Sequence, residues 1–127
     1  MSTWNEMARE ARSAAGSCLR EELYRSCVSR AYYATFSAIT AALHEAGVTV
    51  PKGRNAWAHA ALPKLIRDHL GDKLGRHRAR ELMRMVRENY VTRLSADYVS
   101  EISITKESAR RCLTNATTVT RQCGGAS

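Results

Sequence analysis

The sequence predicts an all-α protein, and three observations support this fold class. Aromatic residues make up only 6% of the 127 residues and two prolines are present, whereas a β-sandwich would contain more aromatic and β-branched residues and more turn signals. The segment 31–43 is uncharged and rich in alanine, which favours a buried helix over a strand. Elsewhere, apolar residues recur every three or four positions, which is the spacing of one helix face.

The first two predicted helices have clear starts and ends. Thr3 and Glu6 form a capping box, and apolar residues at helical spacing continue from there to Leu19. The second helix should begin near residues 21–23 and end at Gly47, because glycine readily adopts the left-handed conformation of a helix C-terminus. Its middle part is apolar or small on all sides, so we expect it to lie at the centre of the bundle.

The third predicted helix is short and follows a loop rich in Pro and Gly. Pro63 should lie in its first turn, where the missing amide proton costs nothing, and the helix should end at Gly71. We expect one side of it to carry Leu62, Leu65, Ile66 and His69. The segment 71–75 is predicted to be a tight connection.

Two further helices complete the predicted domain. The fourth should span roughly residues 76–95, and a fifth should begin near residue 104 and continue to Cys123. The buried side of the fourth helix is predicted to include Leu82, Met85, Val86, either Asn89 or Tyr90, and Arg93. The chain length suits a single domain, which we place at residues 1–123, with a flexible tail at 124–127.

The cysteines and the N-terminal segment indicate a cytoplasmic protein. The four cysteines contain no C-x-x-C pair, so we expect buried, reduced thiols in preference to disulfides or a zinc site. The histidines lack metal-binding spacing and no phosphate-binding glycine loop is present, so neither a metal nor a cofactor is expected. No signal-peptide pattern is visible, and the longest uncharged run is too short to span a membrane.

The positive charge is concentrated in one part of the chain. Twenty Lys or Arg residues against twelve Asp or Glu give a formal net charge of +8. Five cations recur at helical spacing and form what we call the basic stripe: Lys73, Arg76, Arg80, Arg84 and Arg87. We expect Glu88 to pair with Arg84 and Glu81 to point elsewhere. Such a stripe suits a phosphate backbone, although a solvated surface, or pairing with acids of other helices or of a partner protein, remains an alternative.

Two segments resemble a known family. Residues 29–38 read Ser-Arg-Ala-Tyr-Tyr-Ala-Thr-Phe-Ser-Ala and are followed by Ala-Ala-Leu at 41–43 and by Gly47. Residues 93–98 read Arg-Leu-Ser-Ala-Asp-Tyr. The first segment closely resembles the signature helix of HEPN domains (higher eukaryotes and prokaryotes nucleotide-binding). The second is similar to an Arg-x-x-x-Asp-Tyr element in the small stand-alone prokaryotic branch of that family.

The resemblance implies a HEPN-like up-and-down bundle of four to five helices that usually forms a homodimer. Many members of the family are toxins or subunits of toxin–antitoxin and phage-defence systems, often encoded beside a nucleotidyltransferase. The nuclease members cleave RNA without metal, using an Arg-x(4–6)-His motif near the fourth helix. In such a motif the histidine transfers a proton of the ribose 2′-hydroxyl, and the arginine holds the phosphate.

The sequence departs from this motif in one important respect. After Arg93, Asp97 and Tyr98 occupy the place of the expected histidine, and a tyrosine with its usual pKa near 10 is a poor base at neutral pH. An Arg-x(4)-His spacing does occur at Arg54 and His59, ahead of the third predicted helix. His59 could be catalytic there, with a helix N-terminus favouring its neutral form, or it could pack at the start of the helix.

Polar residues of the second helix are further candidates, either structural or ligand-binding. They are Ser29, Arg30 and Tyr33. We expect Arg30 to be buried, and a buried arginine needs an acceptor, for which Asp97 is the obvious candidate.

Three functional hypotheses follow. The leading one is a prokaryotic toxin–antitoxin or phage-defence protein that binds RNA or a nucleotide through the basic stripe, Arg93, Asp97 and Tyr98. If it cleaves RNA, Arg93 or Arg54 would bind phosphate and His59 would transfer the proton. The alternatives are a non-catalytic adaptor for a partner such as a cognate nucleotidyltransferase, and a substrate of such a partner that is modified on Tyr98.

Overall fold

The protein folds into a bundle of helices, as predicted. In the computed structural model, which describes residues 3–123, six α-helices are present and no strand occurs in that range. Their bounds are α1 Trp4–Arg20, α2 Tyr24–Glu45, α3 Leu62–His69, α4 Gly71–Leu74, α5 Arg76–Tyr98 and α6 Lys106–Cys123. The predicted tail at 124–127 lies outside the described residues.

The helix ends largely follow the predicted signals. The Thr3 hydroxyl caps α1 by accepting a hydrogen bond from the Glu6 amide at 3.1 Å. The second helix ends at Glu45, two residues before the predicted stop, and Gly47 then adopts a φ of 82°, the left-handed conformation that glycine tolerates. Pro63 lies in the first turn of α3, where no intrahelical partner for its nitrogen is required.

The predictions were wrong at three places. The segment 71–75, predicted as a tight connection, contains the four-residue helix α4, which ends where Gly75 adopts a φ of 87°. The fourth predicted helix, now α5, continues three residues beyond Ser95 to Tyr98. His69, expected on the inward side of α3, is exposed, whereas Leu70 is buried in its place.

The core has two parts that meet along α2, which packs against α1, α5 and α6. One part is built from large side chains, among them Ile39, Leu43 and Leu82. The other is built largely from alanine and cysteine, and such small side chains allow helices to pack closely. Tyr32 belongs to the first part, and its neighbour Ala31 belongs to the second, so the aromatic segment of α2 lies where the two parts meet.

A buried asparagine fixes α5 against its neighbours. Asn89 is fully buried, and its amide nitrogen donates to Thr35 Oγ1 on α2 at 3.2 Å and to the Cys112 carbonyl on α6 at 3.0 Å. Its side-chain oxygen accepts from Asn115 Nδ2 at 3.0 Å. Because a buried amide must be satisfied, these bonds hold the rotation of α5 and therefore the direction of the following residues.

The four cysteines are free thiols, three of them buried in the core. Burial raises the pKa of Cys27 and Cys112 to about 11. Thiols with so high a pKa are unreactive at neutral pH.

None of the helices in residues 3–123 combines the length and apolar character that crossing a membrane requires.

Candidate functional site

An aromatic cluster brings the segment before α3 against α2 and α5. Tyr32 on α2 is 3% exposed, and its ring lies 5.4 Å from His59 and 5.5 Å from Tyr90 on α5, measured between centroids. His59 stacks on Tyr90 with 15° between the ring planes, and it also contacts Phe36 at 4.9 Å. His59 is the first residue of a 3-10 turn that leads into α3, so the turn places the imidazole on this cluster.

Arg93 lies beside the same tyrosine. It follows Tyr90 by three residues on α5, so both side chains share one face of that helix. The guanidinium carbon of Arg93 lies 5.7 Å from the centre of the Tyr32 ring and 5.6 Å from that of Tyr98. This distance suits a cation–π contact on each side. Arg93 and His59, which are far apart in sequence, therefore meet at Tyr32.

Asp97 orients Arg93 and connects α5 to α2. Arg93 Nε donates to Asp97 Oδ2 at 2.8 Å, and the other carboxylate oxygen accepts from the Ser29 hydroxyl. The Arg93 side chain is 26% exposed, and its Nη atoms make no hydrogen bond to any residue in the described range. They are therefore available to an anionic ligand.

The prediction for Arg30 was wrong. Arg30 is exposed, and the hydrogen bonds to Asp97 come from Ser29 and Arg93. The run of small and apolar residues around it suggested burial, but Arg30 and Tyr33 are both exposed on one side of α2.

The cluster holds His59 in its neutral form. Burial lowers the pKa of His59 from its usual 6.5, and the positive charge of Arg93 lowers it further. Burial raises the pKa of Tyr32, and Tyr90 raises it further, although Arg93 opposes the change. Both groups are therefore uncharged at neutral pH. The predicted direction of the His59 shift is right, but its cause is burial and Arg93 rather than a helix N-terminus.

The hydrogen bond between these two groups orients the imidazole. Tyr32 Oη and His59 Nδ1 lie 2.5 Å apart. Either group can donate in this bond: the phenol when the ring proton is on Nε2, or Nδ1–H when Nε2 carries the lone pair. In both cases Nδ1 is occupied by Tyr32, and Nε2 is the ring nitrogen left for a ligand.

The other residues that the sequence suggested as functional, Arg54 and the basic stripe, do not belong to the aromatic cluster. Arg54 is exposed in the loop before the 3-10 turn, and within residues 3–123 its side chain makes no hydrogen bond or ion pair. In the basic stripe, Arg84 pairs with both Glu81 and Glu88 at 3.1 Å, so the expectation that Glu81 points elsewhere was wrong. Lys73 lies 4.0 Å from Glu45. The other three cations are exposed and unpaired within the described range: Arg76, Arg80 and Arg87.

Sequence reasoning missed one arginine altogether. Arg25 donates through Nη1 to the carbonyl oxygens of Ser95 and Ala96, at 3.2 and 2.7 Å, and through Nη2 to those of Ser100 and Ile102. It thereby satisfies carbonyls at the end of α5, beside Asp97. No local pattern marks this role, because the acceptors lie some seventy residues away in sequence.

The arrangement can bind an anion and transfer a proton at one place. Arg93 offers two unused guanidinium nitrogens, and His59 offers a neutral imidazole with its Nε2 facing away from Tyr32. Within residues 3–123, no group of three or more His, Cys, Asp or Glu side chains could hold a metal ion. The chain is thus a helical-bundle protein with an arginine–histidine–tyrosine cluster at the junction of α2, α5 and the turn before α3.

Comparison with known proteins agrees with this fold. The family model described as HEPN domain matches residues 1–125, which is nearly the whole sequence. The chain therefore belongs to the HEPN family. No curated protein matches the sequence.

Proposed function

We propose that the protein is a metal-independent endoribonuclease of the HEPN family, acting in a prokaryotic toxin–antitoxin or phage-defence system. The proximity of Arg93 and His59, both in contact with Tyr32, carries this proposal. The family's nuclease motif takes arginine and histidine from one helix, whereas in this chain the histidine would come from the turn before α3. Because an RNA substrate is required, the site of action would be the cytoplasm.

In the proposed reaction, the ribose 2′-oxygen attacks the adjacent phosphorus. The new O2′–P bond forms, the P–O5′ bond breaks, and the products carry a 2′,3′-cyclic phosphate and a 5′-hydroxyl. The Nη atoms of Arg93 would hold the non-bridging oxygens as negative charge builds up on them. With Nδ1–H donated to Tyr32, neutral His59 would accept the proton of the 2′-hydroxyl at Nε2.

A second proton-transfer group is needed for the leaving 5′-oxygen. We propose that a homodimer supplies it, with two copies facing each other so that each cleft contains two imidazoles. The second imidazole, in the protonated form that the bound phosphate favours, would donate a proton to the leaving 5′-oxygen while His59 holds the proton of the 2′-hydroxyl, and exchange with water then restores both. The unpaired cations Arg76, Arg80 and Arg87 would contact phosphates further along the RNA.

The test is cleavage of total RNA in the presence of EDTA. Wild-type protein should release fragments with 2′,3′-cyclic phosphate ends, and His59→Ala should lower the rate by about 10²–10⁴-fold. Arg93→Ala should cause a loss of the same order. The exposed residues His69 and Arg121 give matched controls, since His69→Ala and Arg121→Ala should cleave as wild type. Cleavage that persists in both site variants would refute the proposal.

A non-catalytic adaptor is the second candidate, and one observation favours it. Five large hydrophobic side chains are exposed in the described part of the chain: Leu23, Tyr33, Val91, Tyr98 and Ile102. Such residues are frequent in protein interfaces, and a cognate nucleotidyltransferase would be the partner. Stable co-purification with that partner, together with no RNA cleavage by the pure protein, would favour the adaptor.

A further inference from the structure

A surface groove of about 340 Å³ adjoins the cluster between α2 and the end of α5. It is lined by Arg25, Ser26, Ser29, Arg30, Tyr33 and Asp97. Its volume is at the lower end of the ~300–1,000 Å³ range of small-ligand sites. The α2 residues recur at three- and four-residue steps, so they lie on one side of that helix.

Of the two arginines in the groove, only one is available to a ligand. Arg25 is occupied by four backbone carbonyls, two in the last turn of α5 and two in the segment that follows it. Arg30, in contrast, is exposed and makes no side-chain hydrogen bond or ion pair to the residues at 3–123. A guanidinium in that state can form two parallel hydrogen bonds to a phosphate.

The aromatic residue of the groove is also without a partner. Tyr33 is 41% exposed, whereas its neighbour Tyr32 is 3% exposed and packs in the cluster. No ring in residues 3–123 stacks on Tyr33. An exposed tyrosine beside a free arginine is the combination that binds unpaired nucleotides, because the ring stacks on the base while the cation meets the phosphate.

Asp97 connects the groove to the proposed reaction centre. Its carboxylate is shared between Ser29, which lines the groove, and Arg93, which lies on Tyr32. The charge of Asp97 is offset by the ion pair with Arg93, so the groove itself stays positive. A ligand in the groove would therefore lie next to a phosphate held by Arg93.

We infer that this groove binds one unpaired nucleotide of the RNA, next to the phosphate that Arg93 holds. Tyr33 stacks on its base and Arg30 pairs with its phosphate. The inference rests on the proposed function in that it takes RNA as the ligand. It adds that the substrate is single-stranded at this nucleotide, because a base within a duplex cannot stack on a protein side chain.

The test measures binding of a fluorescent, short, single-stranded 2′-O-methyl oligonucleotide by full-length protein. This probe lacks the attacking hydroxyl, so binding is measured independently of cleavage. Tyr33→Leu should raise Kd about tenfold, whereas Tyr33→Phe, which keeps the ring, should stay within about twofold of wild type. Arg30→Gln should weaken binding and lower the slope of log Kd against log salt concentration by about 0.7, the value for one contact to a single strand.

Charge-matched and structural controls complete the design. Arg121→Gln removes one exposed cation at the far end of α6. This variant should bind the oligonucleotide with the Kd and the salt slope of wild type. Circular dichroism should show that each variant folds, which we expect because both side chains are exposed. A duplex of the same sequence should bind equally well to wild type and Tyr33→Leu.

The outcomes separate this inference from the proposed function. Unchanged Kd in both Arg30→Gln and Tyr33→Leu would overturn the inference even if wild-type protein cleaves RNA. If both variants lose affinity as expected but wild-type protein cleaves no RNA, nucleotide binding in the groove would be supported and the proposed nuclease activity would be refuted. A change of oligomeric state in Tyr33→Leu, with no change in oligonucleotide affinity, would mean that the groove binds a second copy and would also overturn the inference.

Discussion

The Tyr32 hydroxyl and His59 Nδ1 are joined by a hydrogen bond of 2.5 Å, although 27 residues separate them in sequence. This bond connects the centre of α2 with the turn before α3, and Arg93 lies on the other side of the same tyrosine ring. Tyr32 is therefore a positioning residue. It contacts both groups to which we assign chemistry, and its own raised pKa keeps it from acting as a base.

The first prediction concerns this bond. Tyr32→Phe keeps the ring but removes the hydroxyl that bonds to Nδ1, so His59 should lose its fixed orientation, and kcat for RNA cleavage should fall about tenfold with little change in KM. Nitrogen NMR of the imidazole should show tautomer populations that differ from those of wild type. Tyr90→Phe is the matched control, because it keeps the stacked ring and should retain wild-type kcat. Equal kcat in wild type and Tyr32→Phe would show that the bond has no role in positioning.

The second prediction is a pH dependence of stability. The pKa of His59 is lowered in the folded protein, first by burial and then by Arg93, whereas the unfolded chain titrates near 6.5. Below pH 6.5 the unfolded state binds more protons than the folded state. The free energy of unfolding should therefore be highest above pH 6.5 and should decrease as the pH falls from 6.5 through the folded pKa of His59. Urea unfolding of wild type and His59→Gln on both sides of this window measures the difference.

The contribution of Arg93 to that shift can be measured separately. Arg93→Gln removes the positive charge, so the pKa of His59 should rise towards 6.5 in an NMR titration. His69→Gln is the control for the unfolding experiment, because His69 is exposed and its loss should leave the pH dependence intact. The same pH dependence in wild type and in His59→Gln would exclude His59 as its source.

The third prediction concerns Arg25. Arg25→Gln leaves the carbonyls at the end of α5 without their charged donor, and the free energy of unfolding should fall by about 1.5–3 kcal/mol. Arg25→Lys should restore only part of the loss, because a single ammonium cannot span the same acceptors. Arg20→Gln on exposed α1 surface should stay within about 0.5 kcal/mol of wild type. Urea denaturation of the three variants tests this order. An Arg25→Gln variant as stable as wild type would contradict it.

The fourth prediction concerns the buried Asn89. Asn89→Ala leaves Thr35 and Asn115 short of partners in the core, so we expect a loss of about 2 kcal/mol or more in the free energy of unfolding. The control is Asn55→Ala in the exposed loop, which should change stability by less than about 0.5 kcal/mol. If the two variants proved equally stable, the Asn89 network would have no part in holding α5.

The fifth prediction separates the members of the basic stripe. Arg80 is unpaired within the described range, whereas Arg84 is held by Glu81 and Glu88. Arg80→Gln should therefore reduce the salt slope of RNA binding by about 0.7, and Arg84→Gln should reduce it by less. Fluorescence anisotropy over a range of salt concentrations measures both slopes. A larger effect of Arg84→Gln than of Arg80→Gln would contradict the idea that the unpaired arginines are the ones that contact phosphate.

Much of the fold was predictable because helices obey local rules. The Thr3 cap, the covered middle of α2 and the position of Pro63 are each set by residues within one or two turns. Among the predictions that were wrong, that of Arg30 as buried depended on neighbours that are distant in sequence. Local pattern cannot tell which side of an all-apolar helix remains uncovered.

The sequence by itself determined the all-α class, the order of the helices, the excess of positive charge and the resemblance to HEPN domains. Only the tertiary structure decided that His59 meets Arg93 at Tyr32, that Asp97 pairs with Arg93 and Ser29, and that Arg30 and Tyr33 face an open groove. The physical reason is that a helix forms through hydrogen bonds four residues apart, whereas a site is assembled by packing between segments whose separation along the chain carries no information about their distance in space.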